Sequence, residues 1–229
     1  MPLHFDSDFF SWLHSLAGGS WKFDYVIYQI SDNNLLKGAL FLSVLWWWWF
    51  VDSAKQDQNR RRVISIVFAC LLAVGINQLV QVLVPYRPRP YKVGLQGISF
   101  PYDLGLHHSN SFPSDHATLF FALGTGLFYL SWRAGLIGLL YAALLICLPR
   151  VYLGLHYPTD IIGGAVIGSL IAITLNTTGV GERVGGYLNE FARRSPAVFY
   201  PCAFLLTYQI ATLFDDARAL CSLFSILRG

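Results

Sequence analysis

Eight residues in this 229-residue chain have the types and positions of one kind of chemistry: Arg87, Arg89, Ser114, Asp115, His116, Arg150, His156 and Asp160. The three arginines are permanent cations with planar donor forks that match phosphate oxygens. Ser114 and the backbone amides around Asp115 and His116 follow Pro113, where a helix is expected to begin. The unpaired N–H groups and positive dipole end of a helix start also favour an anion. His116 lies beside that anion site, in position to act as a general acid. His156 comes two residues before Pro158, another expected helix start, and Asp160 is four residues further on. That spacing lets the carboxylate hold one imidazole nitrogen and leave the other free as a nucleophile. Nucleophile, orienting carboxylate, leaving-group acid and cationic clamp are together the parts of phosphomonoester or diphosphate hydrolysis.

The elements that must bring these residues together are read from composition. The chain is 55% hydrophobic and only 13% charged, with a mean hydropathy of +0.48, whereas soluble domains carry about 25% charged residues. Soluble globular, disordered, coiled-coil and disulfide-scaffold classes are excluded, the last because four cysteines are too few. A net charge of +3 gives no reason to expect a nucleic-acid partner. The expected fold is all-α, a polytopic membrane helix bundle. Six spans are placed at 35–51, 63–84, two within 113–148 around Ser131-Trp132-Arg133, 158–175 and 197–214. The Gly-rich, charged stretch 177–196 reads as a loop. Residues 1–34 form an N-terminal segment expected to lie on the membrane surface, and 35–229 the six-span domain. Trp46 to Trp49 read as an interfacial girdle. Asn77 and Gln81 share one helix face, towards the bundle interior. His116 and Arg150 are 34 residues apart, which suits two helical legs of roughly 25 Å out and back. Arg150, His156 and Asp160 therefore return to the face of Arg89 and His116. Ionisable groups at membrane depth are costly, so such a cluster marks a functional site. Basic residues tie at eight on each face, but Arg60 to Arg62 and Arg193-Arg194 flank span ends closely. That asymmetry places the site on the outer, periplasmic face of an inner (plasma) membrane.

Three ordered motifs make the chain resemble the type 2 phosphatidic acid phosphatase superfamily of membrane lipid phosphatases. The family's first motif is Lys, six residues, then Arg-Pro; here Val82 precedes Arg89-Pro90 at that spacing. Its second, Pro-Ser-Gly-His, corresponds to Pro113-Ser114-Asp115-His116. Its third, Ser-Arg, five residues, His, three residues, Asp, corresponds to Pro149-Arg150, His156 and Asp160. The resemblance covers roughly residues 35 to 214. It implies His156 as nucleophile through a phosphohistidine, Asp160 as its partner and His116 as acid. Arg89, Ser114 and Arg150 would bind phosphate, and Asp115 and Arg87 are counted with them as phosphate-binding. Arg87 or Lys92 would stand in for the missing Lys. Asp115 in place of Gly is associated with the bacterial undecaprenyl-diphosphate phosphatases of this superfamily. The implied substrate is undecaprenyl diphosphate, in the lipid metabolism of cell wall biogenesis. Phosphatidylglycerol phosphate, phosphatidic acid and lipid A phosphate are the other substrates in view. A transporter or binding protein for a phosphorylated lipid is the alternative class, but binding needs arginines and no nucleophile. His116, His156, Asp160 and Asp115 are also metal-ligand types. Three nearby arginines would repel a cation, so neither metal nor other cofactor is expected. His107 and His108 read as solvated or headgroup-contacting, and Tyr86, Tyr91 and Tyr102 as interfacial packing.

Overall fold

A computed structural model describes residues 4–15, 19–93 and 110–215. The expectations for Tyr102, His107 and His108 fall outside these residues. All regular structure among the described residues is helical: α1 (His4–His14), α2 (Trp21–Asp32), α3 (Leu35–Phe50), α4 (Gln56–Leu83), α5 (Asp115–Leu127), α6 (Trp132–Tyr152), α7 (Pro158–Thr177), α8 (Val180–Arg194) and α9 (Pro196–Ala211). A short 3₁₀ turn, Pro90–Val93, follows α4 after the irregular residues 84–89.

Helices stand at all six positions where spans are expected, but only α4, α6 and α7 are long and apolar enough to cross a membrane by themselves. α3 and α9 are apolar and shorter. α5 has 13 residues, about 20 Å of rise, against the ~30 Å of a hydrocarbon core. It is nonetheless the centre of the bundle. Ala117 to Phe120 and Ala122 to Leu127 are buried, enclosed by α4, α6 and α7.

Close approach between α5 and α7 depends on two glycines. A Cβ at Gly168 would lie 2.1 Å from the Thr118 carbonyl oxygen, and one at Gly164 would lie 2.6 Å from that of Ser114. α6 contains a π-helical stretch, Ala142–Cys147, which ends two residues before Pro149. Proline lacks an N–H and collides with the carbonyl four residues earlier, so a widened turn accommodates it inside a continuous helix.

The stretch 177–196 is not a loop. It is mostly the helix α8, which packs Gly181, Gly185, Asn189 and Ala192 inward, largely against α4. Its glycines recur at a spacing of four and form a packing stripe, which explains why composition alone suggested a loop. The tryptophan run is also more than a girdle: Trp47 is exposed, while Trp49 is buried and stacks on Phe199 of α9. The N-terminal segment folds as α1 and α2 and docks at the far end of α6. There Phe10 and Leu13 are buried with Val151, Tyr152, Leu153 and Leu155, and the Tyr152 hydroxyl donates to Asp24.

The helix contact is open to a direct test. Gly168→Ala is expected to destabilise the protein by about 1–3 kcal/mol, since the obstacle is backbone. Gly75→Ala, with nothing within 4 Å of its Cβ, is expected to be neutral or slightly stabilising. Thermal unfolding in detergent separates the two.

Candidate active site

The site is assembled around a buried carboxylate. Asp160 is fully buried in the first turn of α7. Its Oδ2 accepts from its own helix start, Tyr157 N at 2.8 Å, and from the Ser111 hydroxyl at 2.6 Å. Its Oδ1 accepts from Arg87 Nη1 at 2.6 Å. The Asp160 carbonyl also accepts from Ser114 N at 3.1 Å, which ties the start of α5 to the start of α7.

His156 is buried in the turn between α6 and α7. Asp160 Oδ2 lies 3.7 Å from its Nδ1, beyond hydrogen-bond reach. The Nδ1 partner is instead the Ser111 carbonyl at 2.9 Å. Nε2 faces Arg89 Nη1 at 3.2 Å. A carbonyl can only accept and a guanidinium can only donate. Both contacts therefore fix one neutral tautomer, with the proton on Nδ1 and the lone pair on Nε2. Burial first, and then the Arg89 cation, pull the imidazole down to about 4. It stays neutral through the physiological range because burial and like charge both disfavour the imidazolium.

Arg89 is buried and also donates to the Leu155 carbonyl at 3.1 Å. Arg150 is buried at the end of α6, where Nη2 donates to the Ser31 carbonyl at 3.2 Å. Its Nε is a buried donor with no partner among the described residues. Such a donor is costly unless something else meets it. Ser114 caps α5, its hydroxyl accepting from Ala117 N at 3.4 Å. His116 is on the turn that this cap opens, its ring 6.2 Å from that of Phe120.

Two residues have surroundings that differ from the expectation. Arg87 turns its fork onto two carboxylates, Asp160 and Asp6, the latter at 2.5 Å. Its guanidinium also lies 4.2 Å over the Tyr157 ring. Asp115 faces α4, where Asn77, Gln78 and Gln81 donate to one of its oxygens at 2.5, 3.0 and 2.8 Å. The shared face of Asn77 and Gln81 thus meets a carboxylate, and Thr118 donates to the Asn77 carbonyl oxygen at 2.7 Å. Val82 is 82% exposed on the outside of α4, and Lys92 is in the 3₁₀ turn just after Arg89. Ser111, Thr159 and Asp6 were not singled out by sequence reasoning. Serine, threonine and an N-terminal aspartate carry no signal of their own without the fold that buries them.

The chain is similar to proteins already known. The chain is 26% identical over 164 residues to the undecaprenyl-diphosphatase BcrC of Bacillus subtilis, covering 72% of this chain and 79% of that one. It is 34% identical over 116 residues to YbjG of Escherichia coli, described as a putative undecaprenyl-diphosphatase, covering 49% of this chain and 54% of that one. The crystal structure of Aquifex aeolicus LpxE superposes with a TM-score of 0.51 at 22% identity, over 76% of this chain and 96% of that one, and shares its fold. The family model of the PAP2 superfamily matches residues 62–180, a stretch that holds Arg89, the Ser114–His116 turn, Arg150, His156 and Asp160. The chain belongs to the PAP2 superfamily of membrane lipid phosphatases.

Proposed function

We propose that this protein hydrolyses a lipid diphosphate, undecaprenyl diphosphate first among them, to the lipid monophosphate and inorganic phosphate through a phosphohistidine on His156. The observation that carries the reading is the tautomer of His156: its lone pair is on Nε2, directed at Arg89. A substrate phosphate would replace Nε2 as the partner of Arg89 and bring phosphorus to the lone pair. Arg150 Nε supplies a further donor, and the Ser114 turn offers the amides of a helix start. Fixed cations of this kind stabilise the charge that spreads over the transferring phosphoryl group, so no metal ion is required. His116 protonates the departing oxygen, and Asp160 stabilises the positive charge that grows on His156. A non-catalytic binder would need the arginines but not an oriented, neutral histidine. The choice of a polyprenyl diphosphate is supported by the similarity to BcrC and by Asp115.

The same reading takes 35–229 as a six-span domain in the inner membrane, with the site on the periplasmic face. The shorter helices α3, α5 and α9 would cross alongside α4, α6 and α7. Arg60 to Arg62 and Arg193-Arg194 would then face the cytoplasm.

Phosphate release from purified protein tests the mechanism. His156→Ala is expected to abolish turnover and Asp160→Asn to lower it by roughly 10² or more, by analogy with the serine-protease template. Activity is expected to survive excess chelator. Loss in EDTA with recovery on adding a divalent metal would overturn the metal-free reaction, and full activity in His156→Ala would overturn the nucleophile.

The depressed His156 sets the acid side of the pH profile. A lowered imidazole pKa keeps the nucleophile neutral above about 4. kcat/KM, which reports the free enzyme, should therefore not fall tenfold per unit between pH 6 and 5 on account of this group. An ordinary histidine, near 6.5, would impose that fall.

Substrate choice is read from a panel in one detergent. Undecaprenyl diphosphate is expected to be turned over faster than phosphatidylglycerol phosphate, phosphatidic acid or a lipid A phosphate. Equal or better turnover of any of these would displace it.

A further inference from the structure

We propose that Asp6, on the N-terminal helix α1, is a positioning residue of the active site, acting on Asp160 through Arg87 and Thr159. This rests on the phosphatase reading above and adds to the site a residue far outside its three motifs.

Asp6 is fully buried, whereas its neighbours Phe5, Ser7 and Asp8 are exposed. A carboxylate in such a place must be matched by donors. Its Oδ2 meets Arg87 Nη2 at 2.5 Å and the Thr159 hydroxyl at 2.8 Å, and its Oδ1 accepts from Thr159 N at 3.0 Å. Thr159 is the residue before Asp160, so α1 holds the first turn of α7 at both backbone and side chain. Arg87 completes the link, with Nη1 on Asp160 Oδ1 at 2.6 Å and on Thr159 Oγ1 at 2.9 Å. One guanidinium thus serves two carboxylates, one terminal nitrogen to each.

This arrangement has a consequence for charge. Arg87 alone would neutralise Asp160. Its fork is shared, so one guanidinium faces two buried carboxylates behind His156. Attack by Nε2 makes the imidazole cationic, and carboxylates behind it favour that state. The alternative, Arg87 as a phosphate ligand, would pull the cation away from two buried carboxylates at once. α1 has an apolar seat besides, with Phe10 and Leu13 buried against the end of α6.

The experiment measures kcat and KM for the best lipid phosphate of the panel with the full-length protein. Asp6→Asn is expected to lower kcat by roughly tenfold to a hundredfold, the range for losing an outer partner that orients a site residue, with KM within about twofold. In an Asp160→Asn background the same change is expected to cost nothing further, because its effect passes through that carboxylate. Phe10→Ala, which loosens α1 without touching the charges, is expected to lower the unfolding temperature and leave kcat within about twofold of wild type. If Asp6→Asn does not fold, Arg87→Lys gives the same reading, since a lysine keeps the charge but cannot fork two carboxylates. It is expected to lower kcat at unchanged KM. Wild-type kcat in Asp6→Asn beside an inactive His156→Ala would overturn this inference and leave the phosphatase reading standing. So would an equal loss in Phe10→Ala, or a raised KM at unchanged kcat in Arg87→Lys. Activity in His156→Ala would instead overturn the phosphatase reading itself.

Discussion

A buried carboxylate has to be surrounded by donors, and the requirement at Asp160 organises this molecule. Its two oxygens and its carbonyl draw in Arg87 from the segment after α4, Ser111 and Ser114 from the approach to α5, and the amide of Tyr157 from its own helix start. Segments separated by up to 73 positions in sequence are fixed relative to one another by that set. In a low-dielectric interior each such bond is strong, and each missing one is correspondingly costly. The same bonds that secure the fold therefore secure the geometry of the imidazole next door.

The helices supply what those bonds need, namely closeness and direction. Gly164 and Gly168 let α7 approach the backbone of α5, which puts the two helix starts that carry His116 and Asp160 side by side. The Asn77, Gln78 and Gln81 amides fix α4 to the same turn of α5 through Asp115. The π-helical stretch in α6 admits Pro149 and delivers Arg150, buried, to the same end of the bundle. In a bilayer, packing of small residues and polar contacts replace the hydrophobic drive of water. Here both are concentrated on α5.

Much of this was legible in the sequence because the signals were chemical or periodic. Arg89, His156 and Asp160 stood out as charged groups in an apolar chain, and counting helical rise brought them to one end. The apolar stretches marked where helices form, though not how long each would be: α5 stops at Leu127 because residues 128–131 turn back into α6. The stretch 177–196 misled because its glycines looked like loop residues, when at a spacing of four they formed a contact stripe on α8. The link between His156 and Asp160 was anticipated as a direct bond, yet Ser111 stands between them, giving its hydroxyl to one and its carbonyl to the other. A serine four residues before the next helix has no pattern to announce it. Asp6 was still less visible, since only the docking of α1 makes it part of the site.

The departures from the family's motifs are connected. With Val82 facing outward from α4, that position contributes no cation, and Arg87 is committed to two carboxylates rather than to phosphate. On the proposed mechanism the clamp would then rest on Arg89 and Arg150, with Lys92 the nearest further base in sequence. Both guanidiniums are buried, and after burial itself both disfavour the cationic form of His156. A third cation at the Val82 position would add to that effect, and the proposed nucleophile has to stay basic enough to attack. Asp115 belongs to the same balance. Three amides of α4 donate to one of its oxygens, and its negative charge lies within electrostatic reach of Arg89. Asp115 therefore anchors the turn that carries His116 to α4 and would also temper the positive field of the proposed phosphate site.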